Sequence, residues 1–112
     1  MKNMRRIFLS LILLSPVTFF VSSASAETKL EATIFSYDGQ DFVRTETTLT
    51  QGGKSAVNTK LDHNSAAYKA LIEKHSYTGP ATLFGRDYNA NYAPLAGENG
   101  QLTGAVFVAI PK

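Results

Sequence analysis

The sequence has no cysteine and no tryptophan, and only two of its 112 residues are histidines. The absence of cysteine excludes disulfide bonds, cysteine-rich zinc sites and thiolate nucleophiles. A chain this small must therefore fold by burying apolar side chains alone, which removes roughly 60–65% of its unfolded surface from water. Its stability is expected to be marginal, so a dimer or a bound ligand would strengthen it.

Residues 1–26 have the organisation of a secretory signal peptide. The segment starts basic, residues 7–21 are mostly apolar, and small residues end it at Ala26. The apolar run falls short of the roughly 20 residues that span a bilayer as a helix. We predict cleavage after Ala26, which leaves residues 27–112 as a single periplasmic or secreted domain. An uncleaved signal anchor is the alternative.

Neither sign of charge dominates the predicted mature chain. The sequence has 11 basic and 9 acidic residues, but Lys2, Arg5 and Arg6 leave with the export segment. No acidic residue leaves with them, so the net charge of residues 27–112 is about −1. The basic character belongs to the export signal, and nucleic acid is not an expected partner.

Five segments have the alternating apolar and polar residues, or the aromatic and β-branched content, that is typical of strands. The first two form a hairpin, because Asp38-Gly39 between them accepts the positive φ angles of a tight turn. Phe42, Arg44 and Glu46 are expected to share one face of the second strand. The predicted strands are 30–36, 41–49, 81–84, 88–95 and 101–110.

One helix is predicted over residues 66–74, after a loop over 50–60. Asn64 or Ser65 caps it, and apolar residues recur at i, i+4 spacing. The order of elements is two strands, a loop, the helix and three strands. We therefore predict an α+β fold, with one PAS-like antiparallel sheet of about five strands and one short helix packed on it.

A set of short motifs runs in order through most of the predicted mature chain. They are residues 32–35, 38–44, 56–61, 65–71, 77–79, 83–88, 92–95 and 104–108, with Gly100. In this order they resemble the Cache-type extracellular sensor domains of bacterial chemoreceptors and sensor kinases, and within these the Cache 3/Cache 2 fusion group.

This resemblance implies a PAS-like fold with a ligand pocket between the sheet and the segments that cross it. Members of the group sense small metabolites, often carboxylates or amino acids, and serve chemotaxis and signal transduction. The expected partner is therefore a small anionic metabolite, and no cofactor is expected. Typical members also have a second membrane span and a cytoplasmic signalling module, which we do not expect in residues 27–112, so the prediction is a free-standing sensor module.

The sequence departs from the family pattern at a few glycine positions. Asn58 stands where the family usually has glycine, and Ala109 replaces another. Lys74 and His75 replace a glycine-containing helix exit. These departures concern the geometry of local turns.

Two arginines are candidate contacts for an anionic ligand. Arg44 lies inside a predicted strand, and if its face is covered, the guanidinium needs a carboxylate from the protein or from a ligand. The alternative for Arg44 is a surface pair with Glu46 or Asp41. Arg86 follows a glycine in a turn, where it either holds a ligand carboxylate or is simply solvated.

Two tyrosines and a histidine complete the candidate site. Tyr88 and Tyr92 are four residues apart on one predicted strand and share a face, either as pocket walls with hydroxyl donors or as ordinary sheet aromatics. His63 precedes the helix and is a candidate ligand donor. His63 and His75 at opposite ends of the helix make a poor metal site, and no metal is predicted.

The sequence offers little for catalysis. It has no Gly-x-Ser-x-Gly elbow and no phosphate-cradling glycine loop, and we predict that the protein is not an enzyme. A second hypothesis is a periplasmic accessory protein without a ligand, which pairs with a membrane sensor or with itself through a strand edge or the helix face.

Overall fold

The computed structural model describes residues 29–112, and the predicted signal peptide lies outside the described residues. The strands and the helix follow in the predicted order, with a small extra hairpin inside the predicted loop 50–60. The elements are β1 Glu31–Tyr37, β2 Phe42–Thr47, β3 Thr50–Gln51, β4 Lys54–Ser55, α1 Ala66–Leu71, β5 Tyr77–Leu83, β6 Arg86–Ala96 and β7 Leu102–Pro111.

Five of the strands form one antiparallel sheet in the order β2-β1-β7-β6-β5, and β3 pairs only with β4. The prediction of a single sheet of about five strands with one short helix is confirmed. The fold is more sheet-dominated than the α+β label suggests, because α1 ends at Leu71 and covers only six residues. In residues 29–112 no helix is long and apolar enough to cross a membrane.

Strand β7 occupies the centre of the sheet because it is long and carries apolar residues on both faces. Its inward residues Ala105, Phe107 and Ala109 are all at most 2% exposed. Phe107 lies opposite Thr33 on one neighbouring strand and Tyr92 on the other. The small alanines on either side of Phe107 leave room for the large aromatic rings of the adjacent strands to pack inward.

The core lies between the inner face of the sheet and the segment from the β3–β4 hairpin to α1. Its aromatic side chains come from all three central strands and from β2, and the helix adds the alanine and leucine of its predicted apolar stripe. The buried apolar residues are Phe35, Phe42, Leu49, Ala56, Leu61, Ala67, Leu71, Tyr88, Ala90, Tyr92, Ala105, Phe107 and Ala109.

A β-bulge in the β1–β2 pair changes which side chains of β2 share a face. The prediction that Glu46 lies on the same face as Phe42 and Arg44 is wrong. Arg44 lies opposite Phe35, but Glu46 lies opposite Ile34, because the register shifts between these two pairs. The extra residue turns Glu46 away from Arg44 and brings Thr47 to the inner face. There its hydroxyl lies 2.6 Å from the hydroxyl of Thr33.

Strand β5 begins at Tyr77 and includes Gly79-Pro80, whereas the sequence predicted a strand only from residue 81. β5 is an edge strand, where a proline without an N–H group is tolerated. Gly79 permits a close approach, since a Cβ there would lie 2.8 Å from the Tyr77 hydroxyl and would displace that side chain. That hydroxyl donates a hydrogen bond of 2.7 Å to the carbonyl of Pro80.

Helix α1 begins at Ala66 as predicted, but it ends at Leu71, before the predicted end at residue 74. Ser65 is the N-cap, and its hydroxyl accepts a hydrogen bond of 3.1 Å from the backbone N–H of Tyr68. Beyond the C-cap at Ile72 the chain turns through Lys74, whose φ is 65°. Asn58, the other departure from the family pattern, has a φ of 72°. Both positions therefore have the left-handed geometry that favours glycine.

We expect Lys74→Gly to raise the free energy of unfolding by about 0.5–1 kcal/mol, because glycine removes the steric cost of a left-handed residue. The gain is partly offset by the greater freedom of glycine in the unfolded chain. Urea unfolding of the purified variant measures the change. Glu73→Gly is the matched control, since residue 73 lacks a positive φ and should lose stability. A Lys74 variant that is less stable than the wild type would contradict the prediction.

Candidate functional site

Arg44 is the most unusual buried residue of the inner face, since its side chain is charged and the residue is only 2% exposed. Its guanidinium carbon lies 5.2 Å from the ring centroid of Phe35 and 5.1 Å from that of Phe84. Nη1 donates hydrogen bonds of 3.1 Å to the Thr59 hydroxyl and to the carbonyl of Lys60. The cation is therefore held in a fixed position between two aromatic rings and the segment that crosses β2.

The charge of Arg44 has no counter-charge in the part of the chain that the structure describes. No carboxylate of residues 29–112 forms an ion pair with it, and its buried Nε has no hydrogen-bond partner. Asp41, one alternative partner, instead pairs with Lys60 and His63. Burial is the main cause that lowers the pKa of Arg44 from its usual value, as expected of a desolvated cation.

Phe84 reaches Arg44 from a strained turn. Phe84 and Gly85 form the two-residue loop between β5 and β6, with φ angles of 51° and 80°. Positive φ at both positions is typical of a type I′ hairpin turn, and it is uncommon for phenylalanine. The ring contact with the guanidinium helps to offset the steric cost of this backbone conformation.

A cavity of about 230 Å³ lies between α1 and the inner side of β5, next to this cluster. Its walls are polar and apolar in about equal measure, with Asp62, Ser65 and Thr82 as polar groups and two tyrosines on the sheet side. The lining residues are Leu61, Asp62, Ser65, Ala66, Ala67, Tyr77, Pro80, Ala81, Thr82, Leu83 and Tyr92.

Tyr92 connects the cavity with Arg44. It lines the cavity, it is 1% exposed, and its hydroxyl makes no hydrogen bond with a described residue. Burial raises the pKa of Tyr92 to about 12, and the nearby charge of Arg44 opposes this rise only in part. Tyr92 therefore stays a neutral hydrogen-bond donor at physiological pH.

The free energy of unfolding should fall by about 2–3 kcal/mol as the pH rises from 10 to 12, because of Tyr92. In this range the unfolded tyrosine loses its proton while the folded one keeps it, so rising pH favours the unfolded chain. Urea unfolding at a series of pH values measures the decline. Tyr92→Phe keeps the ring without the titrating group, and an equally steep decline in this variant would contradict the assignment.

The structure places the other candidate residues outside the cavity lining. Tyr88 shares the inner face with Tyr92, as predicted, and is 3% exposed in the core. His63 stacks on Tyr68 at 4.1 Å between ring centroids, and its Nε2 lies 2.6 Å from an oxygen of Asp41. Arg86 is exposed at the start of β6. As ligand contacts these three residues stay predictions.

Sequence reasoning missed the residues that hold Arg44. Phe84 and Thr59 come from turns, and no pattern in the sequence places either beside a strand residue so distant along the chain. To predict the positive φ of Phe84, one would have to know the turn type, and the presence of Gly85 does not by itself determine it. In residues 29–112 no group of three or more acidic, histidine or cysteine side chains is arranged to hold a metal ion.

Comparison with known proteins identifies the family. The sequence model of the Cache 3/Cache 2 fusion domain matches residues 16–112. The chain belongs to the Cache 3/Cache 2 fusion domain family. The resemblance predicted from the short motifs is thereby confirmed. Searches of curated proteins and of solved structures found no match to the chain.

Membership of the Cache family indicates an extracellular sensor-type module. The match begins at residue 16, within the predicted signal peptide, so cleavage after Ala26 stays a prediction. The cavity of this Cache domain lies between the sheet and the crossing helix, which is the position that the resemblance implied.

Proposed function

We propose that this Cache domain is a periplasmic sensor module that binds a small organic anion in the cavity between α1 and β5, without catalysing a reaction. The observation that carries the proposal is the buried guanidinium of Arg44, which lacks a counter-charge among residues 29–112. Burying a cation without a partner costs several kcal/mol, and a bound carboxylate would offset that cost.

The electrostatics favour an anion although Arg44 lies behind the cavity wall. With one side chain between them, at about 8 Å and an effective dielectric constant of about 20, a cation and an anion attract by roughly 2 kcal/mol. Tyr92 stands between them with a free hydroxyl, so it can donate a hydrogen bond to the ligand.

The volume of the cavity and the charge of its lining limit the class of ligand that fits. A volume of about 230 Å³ is smaller than the 300–1,000 Å³ typical of sites for drug-sized ligands. Asp62 lies in the lining and disfavours a second negative charge near it. The best candidates are monocarboxylates and amino acids. The ammonium group of an amino acid could donate a hydrogen bond to the carboxylate of Asp62.

A thermal-shift screen of the exported protein tests the proposal. The panel pairs each organic acid or amino acid with its neutral amide or ester, because the pair has the same shape but differs in charge. We expect acids to raise the melting temperature and their neutral partners to leave it unchanged, since only a ligand that binds the folded state stabilises it. No stabilisation by any acid at millimolar concentration, or equal stabilisation by the neutral partners, would contradict the proposal.

A further inference from the structure

The outer face of the sheet, which is the side away from α1, carries exposed apolar side chains in the described structure. Ile34 of β1 is 45% exposed, Leu95 of β6 is 40%, and Val108 and Ile110 of β7 are 39% and 43%. Leu30, just before β1, is 63% exposed. Isolated exposed apolar residues are normal, but a group of them on neighbouring strands marks an interaction surface.

Polar residues surround this apolar centre. On one side the outer face has Thr78 of β5 and Asn89 and Asn91 of β6. On the other side it has Glu46, which the β-bulge turns outward. An apolar centre with few charges and a polar rim is the usual composition of a protein–protein interface.

The two edges of the sheet are partly blocked for a partner strand. Residues 59–61 cover β2, where the N–H of Arg44 donates to the carbonyl of Thr59 and the N–H of Leu61 donates to the carbonyl of Phe42. At the other edge, β5 carries Pro80, which cannot donate a hydrogen bond. Association through an added strand is therefore disfavoured, and the outer face is the available surface.

The area of the outer face lies within the range that a stable dimer needs. The five strands of the sheet have six to eleven residues and are about 27 Å long on average, and five strands spaced ~4.8 Å apart are ~24 Å wide. The product is roughly 650 Å², at the lower end of the area that each partner contributes to a standard interface.

The ends of the sheet carry few charges on the outer face. Lys29 and Lys112 lie near Asp87 at the end where β1 starts and β7 finishes, and Glu98 lies in the β6–β7 turn at the other end. In a symmetric face-to-face contact of two such sheets, the two-fold axis lies between the sheets and parallel to them. Such a symmetric contact uses the same surface on both subunits.

From these observations we propose that two copies of this chain form a symmetric dimer by packing the outer faces of their sheets together, as the two sheets of a β-sandwich do. The contact centres on Ile34, Val108 and Ile110. It differs from association through the strand edge or the helix face, which the sequence had suggested.

Sedimentation equilibrium of the exported full-length product tests this proposal, with intact mass spectrometry to define which N-terminal residues it retains. We expect the wild type to have twice the mass of one chain at micromolar concentration. Val108→Glu places an unpaired charge in the contact and should weaken the dimer by more than about 30-fold. Ile72→Glu is the matched control, because Ile72 is 42% exposed on α1 and lies outside the contact, so its dimer should persist.

Three outcomes would overturn the proposal. The wild type is a monomer at every concentration, which would indicate that the N-terminal residues or another protein cover the face. Val108→Glu dimerises as tightly as the wild type, or Ile72→Glu is equally weakened. If far-ultraviolet circular dichroism shows that Val108→Glu does not fold, Ile110→Glu nearer the strand end replaces it, with the same expected result.

Discussion

Arg44→Met should leave the free energy of unfolding within about 1 kcal/mol of the wild type and weaken the binding of an organic acid about thirtyfold. The two effects differ because the charge serves the ligand more than the fold. Replacing a buried ion by an apolar side chain of similar size is often neutral or stabilising. Methionine is unbranched and fits between the rings of Phe35 and Phe84, where its sulfur makes favourable contacts.

The groups that Arg44 leaves behind retain other partners. The Thr59 hydroxyl also donates a hydrogen bond to the carbonyl of Ala56, and Lys60 is exposed to water. The loss of affinity follows from the roughly 2 kcal/mol that a cation contributes to an anion about 8 Å away, with one side chain between them. The effect should persist at physiological salt, because buried charges are screened much less than exposed ones.

Urea unfolding measures the stability of the Arg44 variant, and isothermal titration calorimetry with the best acid from the screen measures its affinity. Arg86→Met is the matched control, since it removes the same charge from an exposed position. We expect Arg86→Met to bind as the wild type does. If instead Arg86→Met loses affinity and Arg44→Met does not, the anion binds at the β5–β6 turn and the proposed cavity site is wrong.

Gly104→Ala should destabilise the protein by about 3 kcal/mol or more, or prevent folding. A Cβ at this position would lie 2.2 Å from the backbone oxygen of Phe35, which cannot rotate away as a side chain can. Relief requires β1 and β7 to move apart, although these two strands pair over most of their length at the centre of the sheet. The same methyl group would thus disturb the strand that carries Phe35, one wall of the Arg44 site.

Gly97→Ala provides a matched control for Gly104→Ala. A Cβ at residue 97 would lie 3.4 Å from the Thr103 side chain, which is close to ordinary contact, and Gly97 has no positive φ. Its variant should be neutral or slightly more stable, because alanine reduces the freedom of the unfolded chain. Urea unfolding compares the two, and a Gly104 variant within 1 kcal/mol of the wild type would contradict the close approach seen here.

Local sequence signals were enough to predict the elements and their order. Alternation predicted β1, β2, β6 and β7, and Ser65 with the spacing of Ala67 and Leu71 predicted the helix. These signals depend on contacts between residues close in the chain, so a single sequence contains them. The start of β5 was predicted too late because Gly79-Pro80 usually interrupts a strand. A proline is tolerated in an edge strand, and whether β5 is an edge strand depends on the whole sheet.

The amino-acid sequence by itself determined a cysteine-free chain with one antiparallel sheet, one short helix and an arginine inside a strand. Only the tertiary structure decided that Arg44 points into the core, that Glu46 turns away from it and that Phe84 and Thr59 hold it. The physical reason is that a bulge shifts the register and that these partners lie far apart along the chain. Whether a buried charge has a counter-charge is therefore settled by how the strands meet, and not by the residues beside it in the sequence.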